Sequence, residues 1–451
     1  MQEFRGIWWF PSHSDKTVAG FLSYDPGKEI KLELIGALGS DDESLAILFS
    51  DQSFVTIHGM SSDGKEVSLF NCTKGFSLNS KAGFPIVRYL AREIVIGMHL
   101  SSLETPKFFK ASVRIPELSY WFRPSSVERT FLGENMDEGV QVTMHRHKND
   151  NSVEQVSFST EGGFSISLFQ DARYNSDNYP LTFGFEQFVA LHIRSTEDTS
   201  FLNYFHVVSQ YERFLSLATM RGVAYSELCL YSKECYQQIG DKKSYRKIIA
   251  DAVYHPAPSS QAINIIRFLF SYDTIKEKYL PVINKWFSED IDFAAIQGHF
   301  LESIDYNGVF SYLNFLTVIQ AVEGYGHRYM AKAIRSHKTS LDSKQKKNKT
   351  ELHFILIVLL NSFRDIDFIN KDLDIDLIVN TRDYHSHLFS RSKKKIVEGL
   401  ELYNTTDELR KLLICCILSY LGFTNDDINR IFRASNNKLF QRSLKIATLS
   451  Q

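Results

Sequence analysis

Lys31–Leu38 reads KLELIGAL and Ser53–His58 reads SFVTIH. Both stretches alternate apolar and polar residues at a period of two, which gathers the apolar side chains on one face of a strand. Asp63-Gly64 stands between Phe54–Met60 and Val67–Phe70, and this dipeptide is a hairpin-turn signal. The same alternation predicts strands at Ala111–Ile115, Gly139–Arg146, Ser152–Ser159 and Phe164–Phe169, with Glu161-Gly162-Gly163 turning the last two. Many short strands with regular turns predict a β-sandwich or two small packed sheets.

The pattern changes near residue 200. Phe201–Met220 carries Phe205, Val208, Tyr211, Leu215 and Ala218 as a helical stripe. Residues 225–258 mix a strand-like Glu227–Tyr231 with a stop at Pro256 and Pro258. Helices are then predicted near 259–287, 291–304, 308–336, 351–370, 381–403, 406–421 and 425–446. Thr405-x-x-Glu408 reads as a capping box, Thr424-x-x-Asp427 resembles one, and Gly422 suits a helix end. Seven of the ten prolines lie at or before Pro180 and none follows Pro281, which permits long uninterrupted helices. The expected class is α+β: a β-rich, sandwich-like domain over 1–197, a connecting helix and mixed segment over 198–258, and an all-α helical-bundle domain over 259–451.

Length and composition fit this division. A chain of 451 residues with 43% hydrophobic content exceeds what one core normally supports. The net charge of -2 argues against a globally basic nucleic-acid binder, yet the total conceals an asymmetry. Residues 1–200 carry 18 basic and 26 acidic side chains, and residues 201–451 carry 33 and 27. A basic back half is compatible with a nucleic-acid partner for that half alone. Five cysteines without a CxxC pair exclude a disulfide framework and the usual zinc knuckles, and suit a reducing compartment. The longest apolar runs, Leu352–Phe363 and Leu412–Phe423, are too short for a membrane span, and MQEFRGIWWFPSHSDK lacks the layout of a signal peptide. The expected location is cytoplasmic, with no membrane partner.

The stretch richest in chemistry is Asn380-Thr381-Arg382-Asp383-Tyr384-His385-Ser386-His387. Asn380, three residues before Asp383, reads as a helix start, which would place Arg382 and Asp383 in a first turn with its unpaired N–H groups and positive dipole end. Asp383 and His387 are four apart, so the carboxylate can orient the imidazole. Arg382 offers a planar fork for a phosphate oxygen. A base, an orienting group and an anion clamp are what RNA cleavage by 2′-OH attack requires without a metal. Arg382 and His387 lie about 140° apart around a helix, so two copies facing each other across a two-fold axis would be needed to aim both at one point. On spacing alone, a solvated and ion-paired helix face accounts for the same residues.

Arg382–His387 resembles the R-x4-6-H motif of HEPN ribonucleases, with Asp383 as the polar residue after the arginine. It follows an apolar helix, Leu352–Phe363, as in that all-helical fold. Phe315-Leu-Thr-Val-Ile-Gln320-Ala-Val-Glu323-Gly-Tyr-Gly-His327 resembles the first long helix of the family. At the other end, Gly6-Ile-Trp8-Trp9-Phe-Pro11, Val18-Ala-Gly20-Phe-Leu22 and Ile57-His58-Gly59, with Gly64-Lys65-x-Val67-x-Leu69 and Cys72 after them, are similar to the N-terminal domain of ApeA-like proteins. The resemblance implies an anti-phage factor whose HEPN endoribonuclease, once triggered by phage, cleaves cellular RNA, tRNA among the candidates, and stops growth of the infected cell. It implies Arg382, Asp383 and His387 as catalytic residues and a homodimer through the motif helices. The acidic front half would sense the phage trigger and restrain the nuclease.

Other features are weighed beside this. His385, Lys393 and Lys394 are candidate RNA-binding residues, the lysines within Arg391-Ser-Lys393-Lys394-Lys395, which equally fits a solvated helix face. Ser336–Thr350 reads as a basic loop. His145-Arg146-His147 lacks a third ligand nearby, and Asp372-x-Asp374-x-Asp376 lacks the glycine and final glutamate of a calcium loop, so no metal and no cofactor are expected. Trp8 and Trp9 read as core anchors, and Cys415-Cys416 as inert packing. The rival reading is a non-catalytic binding or scaffold protein with the same two domains. A second rival is a HEPN partner of a nucleotidyltransferase, although no nucleotidyltransferase sequence is apparent.

Overall fold

Alternating burial along the first strands closes them around one core. In the computed structural model β1 (Gln2–Trp9), β2 (Val18–Tyr24), β3 (Ile30–Ile35), β4 (Val55–Ser61), β5 (Glu66–Lys74) and β6 (Ile86–Ala91) are joined antiparallel in the order β5-β4-β1-β2-β3-β6. β6 pairs back onto β5 through Thr73↔Leu90 and Lys74↔Tyr89, so the six strands form a closed barrel. Trp8, Leu22, Leu32, Leu34, Ile57, Val67, Leu69, Val87 and Tyr89 belong to its buried core. The α+β class is borne out, but closure replaces the expected sandwich. The reason is a bend at Arg92, whose N–H bonds the Phe70 carbonyl: β6 covers the end of β5, and β7 (Glu93–Ile96) covers its beginning. Closing the sheet removes its edges. The structure describes residues 2–26, 28–38, 54–75, 86–123, 127–132, 139–144, 156–176, 183–253, 268–288, 290–305, 311–346, 349–387, 395–435, 437 and 439–440.

The sheet continues beyond the barrel. Helix α1 (Pro116–Phe122) comes after β8 (Phe108–Arg114), and β9 (Val127–Leu132) and β10 (Gly139–Met144) form a separate hairpin. β11 (Ser157–Ser159), β12 (Phe164–Ser176) and β13 (Phe183–Thr199) lead to α2 (Phe201–Thr219). The ambiguous 225–258 segment supplies β14 (Glu227–Tyr231), an exposed hairpin of β15 (Tyr236–Ile239) and β16 (Lys242–Tyr245), and β17 (Ile248–Ala252). β14 and β17 sit between β8 and β7 in the main sheet. Buried Asp251 of β17 accepts hydrogen bonds from Tyr24 (2.7 Å) and Tyr225 (2.8 Å), which meets the requirement that a buried carboxylate be paired. The chain separates into one unit of Met1–Glu212 with Val223–Ala262 and a second of Arg213–Gly222 with Ile263–Gln451.

The second unit is helical: α3 (Tyr272–Ile275), α4 (Tyr279–Trp286), α5 (Ile291–Asp305), α6 (Tyr312–Tyr329), α7 (Ala331–Ser340), α8 (Ser343–Lys346), α9 (Glu351–Ser362), α10 (Ile375–His387), α11 (Gly399–Tyr420) and α12 (Asn425–Ala434). α6 is central, packing on α5, α9, α10 and α11 through buried Phe315, Val318, Ile319 and Val322. A Cβ on Gly326 of α6 would stand 2.3 Å from Ile355 Cγ2 of α9, so glycine is what lets these two helices touch. Thr424 and Asp427 form the expected capping box, and Gly422 ends α11 at φ +94. Thr405 is instead internal to α11, which starts at Gly399 with φ +58. The helix expected over 381–403 ends at His387, the one over 308–336 breaks at Met330, and α7 continues to Ser340, where a loop was expected. Among the described residues no helix is long and apolar enough to cross a membrane.

Two glycines give opposite expectations. A Cβ on Gly59 would lie 2.2 Å from the ring of fully buried Trp8, its cross-strand partner, and the closed barrel has no slack to absorb it. Gly59→Ala is therefore expected to lower stability by about 1–3 kcal/mol. Gly298, inside α5, has nothing within 4 Å of its Cβ position, so Gly298→Ala is expected to raise stability by roughly 0.5–1 kcal/mol. Urea denaturation of the two full-length variants checks both signs.

Candidate active site

Helix α10 carries the Arg382–His387 hexamer, and its start is set by an aspartate upstream of the expected one. Asp374 Oδ1 accepts the Leu377 N–H at 2.9 Å and its carbonyl accepts Ile378 N–H, so the helix opens at Ile375 and not at Asn380. Arg382 and His387 consequently occupy its last turns. This corrects the expectation of a phosphate seated on a helix N-terminus: the nearby dipole end is the negative one, which suits basic side chains and not an anion. Thr381, fully buried, ties the helix to the chain that returns toward α11, donating to the Leu377 carbonyl (2.7 Å) and accepting the Val397 N–H (2.9 Å).

Arg382 is held from two sides. Its Nη2 donates to Glu323 Oε2 of α6 at 2.7 Å and its Nη1 to Asp383 Oδ1 at 2.9 Å. The arginine side chain is 24% exposed and Glu323 18%. Burial opposes the guanidinium charge, but the bonds from Glu323 and Asp383 outweigh it and raise its pKa above the ordinary value. Among the described residues two of its five N–H bonds are committed to carboxylates, which leaves three for a substrate oxygen. The other oxygen of Glu323, Oε1, lies 4.0 Å from His327 Nε2 one turn along α6, at the limit of an ion pair.

The remaining candidates are placed differently. His387 is exposed at the end of α10. His385 is not part of the Arg382 cluster: its ring stacks on Tyr312 of α6 with centroids 5.0 Å apart and planes 6° apart. Burial lowers its pKa, only partly offset by the charge of Glu398. Lys393 and Lys394 lie outside the described residues, as do His145 and His147. A cleft of about 520 Å³ beside the first half of α10 is lined by Asp374, Asp376, Asn380, Lys395 and Glu401, among others. Three carboxylates there give it the wrong sign for a phosphate. Asp376 is further engaged by Lys349 Nζ at 2.6 Å and by His353 Nδ1 at 3.1 Å, so the Asp372–Asp376 run serves as cap and ion-pair partner. Among the described residues no group of three or more His, Cys, Asp and Glu side chains is arranged to hold a metal. Burial raises the pKa of the Cys415 and Cys416 thiols, which agrees with their reading as packing.

In the sequence, Glu323 and His327 stand out only as parts of a helix resemblance. Their link to Arg382 spans 59 positions, and no local spacing reports it. The one available signal is the Glu323-x-x-x-His327 pair itself, a carboxylate and an imidazole on one helix face.

Comparison with known families supplies the context for this geometry. Residues 3–286 match the model of ApeA N-terminal domain 1, and residues 316–427, which include Glu323, His327, Arg382, Asp383 and His387, match that of the Apea-like HEPN domain. No curated protein and no solved structure matches the chain. On those two domain matches, the chain belongs to the ApeA-like HEPN family, a family of anti-phage HEPN nucleases.

Proposed function

We propose that this protein is a metal-independent endoribonuclease that cuts cellular RNA, tRNA among the candidates, and halts the infected cell once a phage component triggers it. The observation that carries the reading is the Arg382 arrangement: a guanidinium fixed by Glu323 and Asp383, with an exposed imidazole at His387 on the same helix. A guanidinium with spare N–H bonds stabilises the charge that builds on phosphorus oxygens, and it does so without reorganising during the reaction.

In the proposed reaction His387 removes the proton of a ribose 2′-OH, the 2′-oxygen attacks phosphorus, and Arg382 binds a non-bridging oxygen of the crowded intermediate. The products carry a 2′,3′-cyclic phosphate and a 5′-hydroxyl. Because α10 is one continuous helix through the motif, Arg382 and His387 diverge by about 140°, and a single copy does not aim both inward. A homodimer that pairs the two motif helices joins Arg382 of one copy with His387 of the other. The N-terminal unit would act as the sensor. The alternative, a binding or scaffold protein, accounts for the ion pairs as ties between helices but gives the exposed His387 on the same helix no role.

Glu323 acts in this scheme as a positioning residue. Its bond fixes where Arg382 stands relative to α6, so Glu323→Gln, which keeps the shape but removes the charge, is expected to reduce kcat by up to about 10²-fold with little change in KM. Single-turnover cleavage by the full-length variant checks this. His387→Ala is expected to abolish cleavage while the circular dichroism spectrum and melting transition stay close to wild type, and Arg382→Ala to abolish cleavage with a lowered melting transition, because it leaves Glu323 without its partner. Sequencing RNA ends after induction, with parallel digestion of purified RNA in EDTA, reads out both activity and metal independence. Cleavage by His387→Ala at the wild-type rate would sink the assignment.

A further inference from the structure

The hexamer supplies one exposed imidazole, but cleavage by 2′-OH attack moves two protons: one leaves the 2′-hydroxyl and one must reach the departing 5′-oxygen. Resting on the reading above, we propose that His327 is a further catalytic residue, the general acid that protonates the 5′-oxygen leaving group.

The geometry singles out His327. One carboxylate, Glu323, binds the Arg382 guanidinium through Oε2 at 2.7 Å and faces His327 Nε2 through Oε1 at 4.0 Å. Imidazole and guanidinium thus flank the same group within one chain, whereas His387 points about 140° away from Arg382 around α10. His327 is 51% exposed, so its ring is open to a substrate, while Glu323 beneath it is nearly covered. A carboxylate that faces an imidazole from the same side of the helix orients the ring toward the site it shares with the guanidinium. His385 is the other imidazole near the motif, and it does not fit this role. It is stacked on Tyr312, its Nε2 is buried without a hydrogen-bond partner among the described residues, and burial favours its neutral form.

The step balances. The 2′-oxygen–phosphorus bond forms and the phosphorus–5′-oxygen bond breaks. His387 begins neutral and takes the 2′-hydroxyl proton; His327 begins protonated and gives a proton to the 5′-oxygen. Solvent then restores both rings, and no oxidant, metal or co-substrate is consumed. Arg382, between the two proton transfers, holds the charge on the non-bridging oxygens.

The test uses full-length protein and an RNA oligonucleotide that carries the cleavage site mapped for wild type in total cellular RNA. It is made once with the natural 5′-oxygen and once with sulfur in that bridging position. A thiolate leaves without a proton, so loss of the general acid is repaired by the sulfur substrate alone. His327→Ala and the smaller change His327→Asn are expected to slow cleavage of the oxygen substrate by about 10²–10⁴-fold and to cut the sulfur substrate within a few-fold of wild type. His387→Ala is expected to fail on both. Wild-type rates for the His327 variants on oxygen, or equal losses on both substrates, would overturn the proposal, the second because it marks a merely structural role. Full activity in His387→Ala, or no cleavage by wild type, would instead overturn the ribonuclease reading on which it rests.

Discussion

The ion pair between Arg382 and Glu323 is the constraint on which the site depends. A guanidinium and a carboxylate removed from much of their water lose hydration that only good mutual geometry recovers, so each holds the other in place. The 2.7 Å contact joins α10 to α6, the helix around which the second unit packs. Three residues further along α10, the His385–Tyr312 stack repeats the connection near the start of α6. Two ties, to Glu323 and to Tyr312 at separate points along α6, fix both the position and the rotation of α10. That rotation sets the direction of every motif side chain.

Support for this arrangement comes from parts with no chemistry of their own. Gly326 brings α9 into contact with α6 one turn beyond Glu323, and a methyl group there would push apart the helix on which Glu323 and His327 stand. Asp374 determines where α10 begins, and Thr381 Oγ1 holds the returning chain at Val397 against the helix. The cap fixes where the helix begins, while burial of Ile378, Val379 and Thr381 sets its rotation and so keeps Arg382 turned toward Glu323.

The same dependence on distant contacts separates what is legible in the sequence from what is not. Strand alternation, the Asp63-Gly64 turn, the Thr424/Asp427 capping box and the burial of Trp8 are local properties, visible within a few residues. Barrel closure is not visible, because it depends on the bend at Arg92 that lets β6 and β7 share β5. The start of α10 is easily misplaced because Asn380 and Asp383 imitate a cap while Asp374, Asp376 and Asn380 are all short polar residues able to serve as one. Geometry chooses Asp374, since Ile378, Val379 and Thr381 have to be buried and only a helix already running by then can bury them on one side. Glu323 escapes notice for the opposite reason: nothing within four residues of it on α6 demands a partner on α10.

The charge pattern also changes meaning once the site is located. The back half is basic overall, yet the immediate surroundings of Arg382 are acidic, with Glu323 and Asp383 bonded to it and Asp374, Asp376 and, from α11, Glu401 lining the cleft beside the first half of its helix. Attraction and precision are therefore separate tasks. Long-range attraction of a phosphate chain needs many cations spread over a surface and weakens with salt. Holding one phosphate for an in-line attack needs a single cation that does not move, and carboxylates behind it provide that rigidity at the expense of net charge. An arginine without them would be a stronger magnet and a poorer clamp. Cleavage chemistry favours the clamp, because a charge that must reorient as the phosphorane forms contributes less than one already aligned.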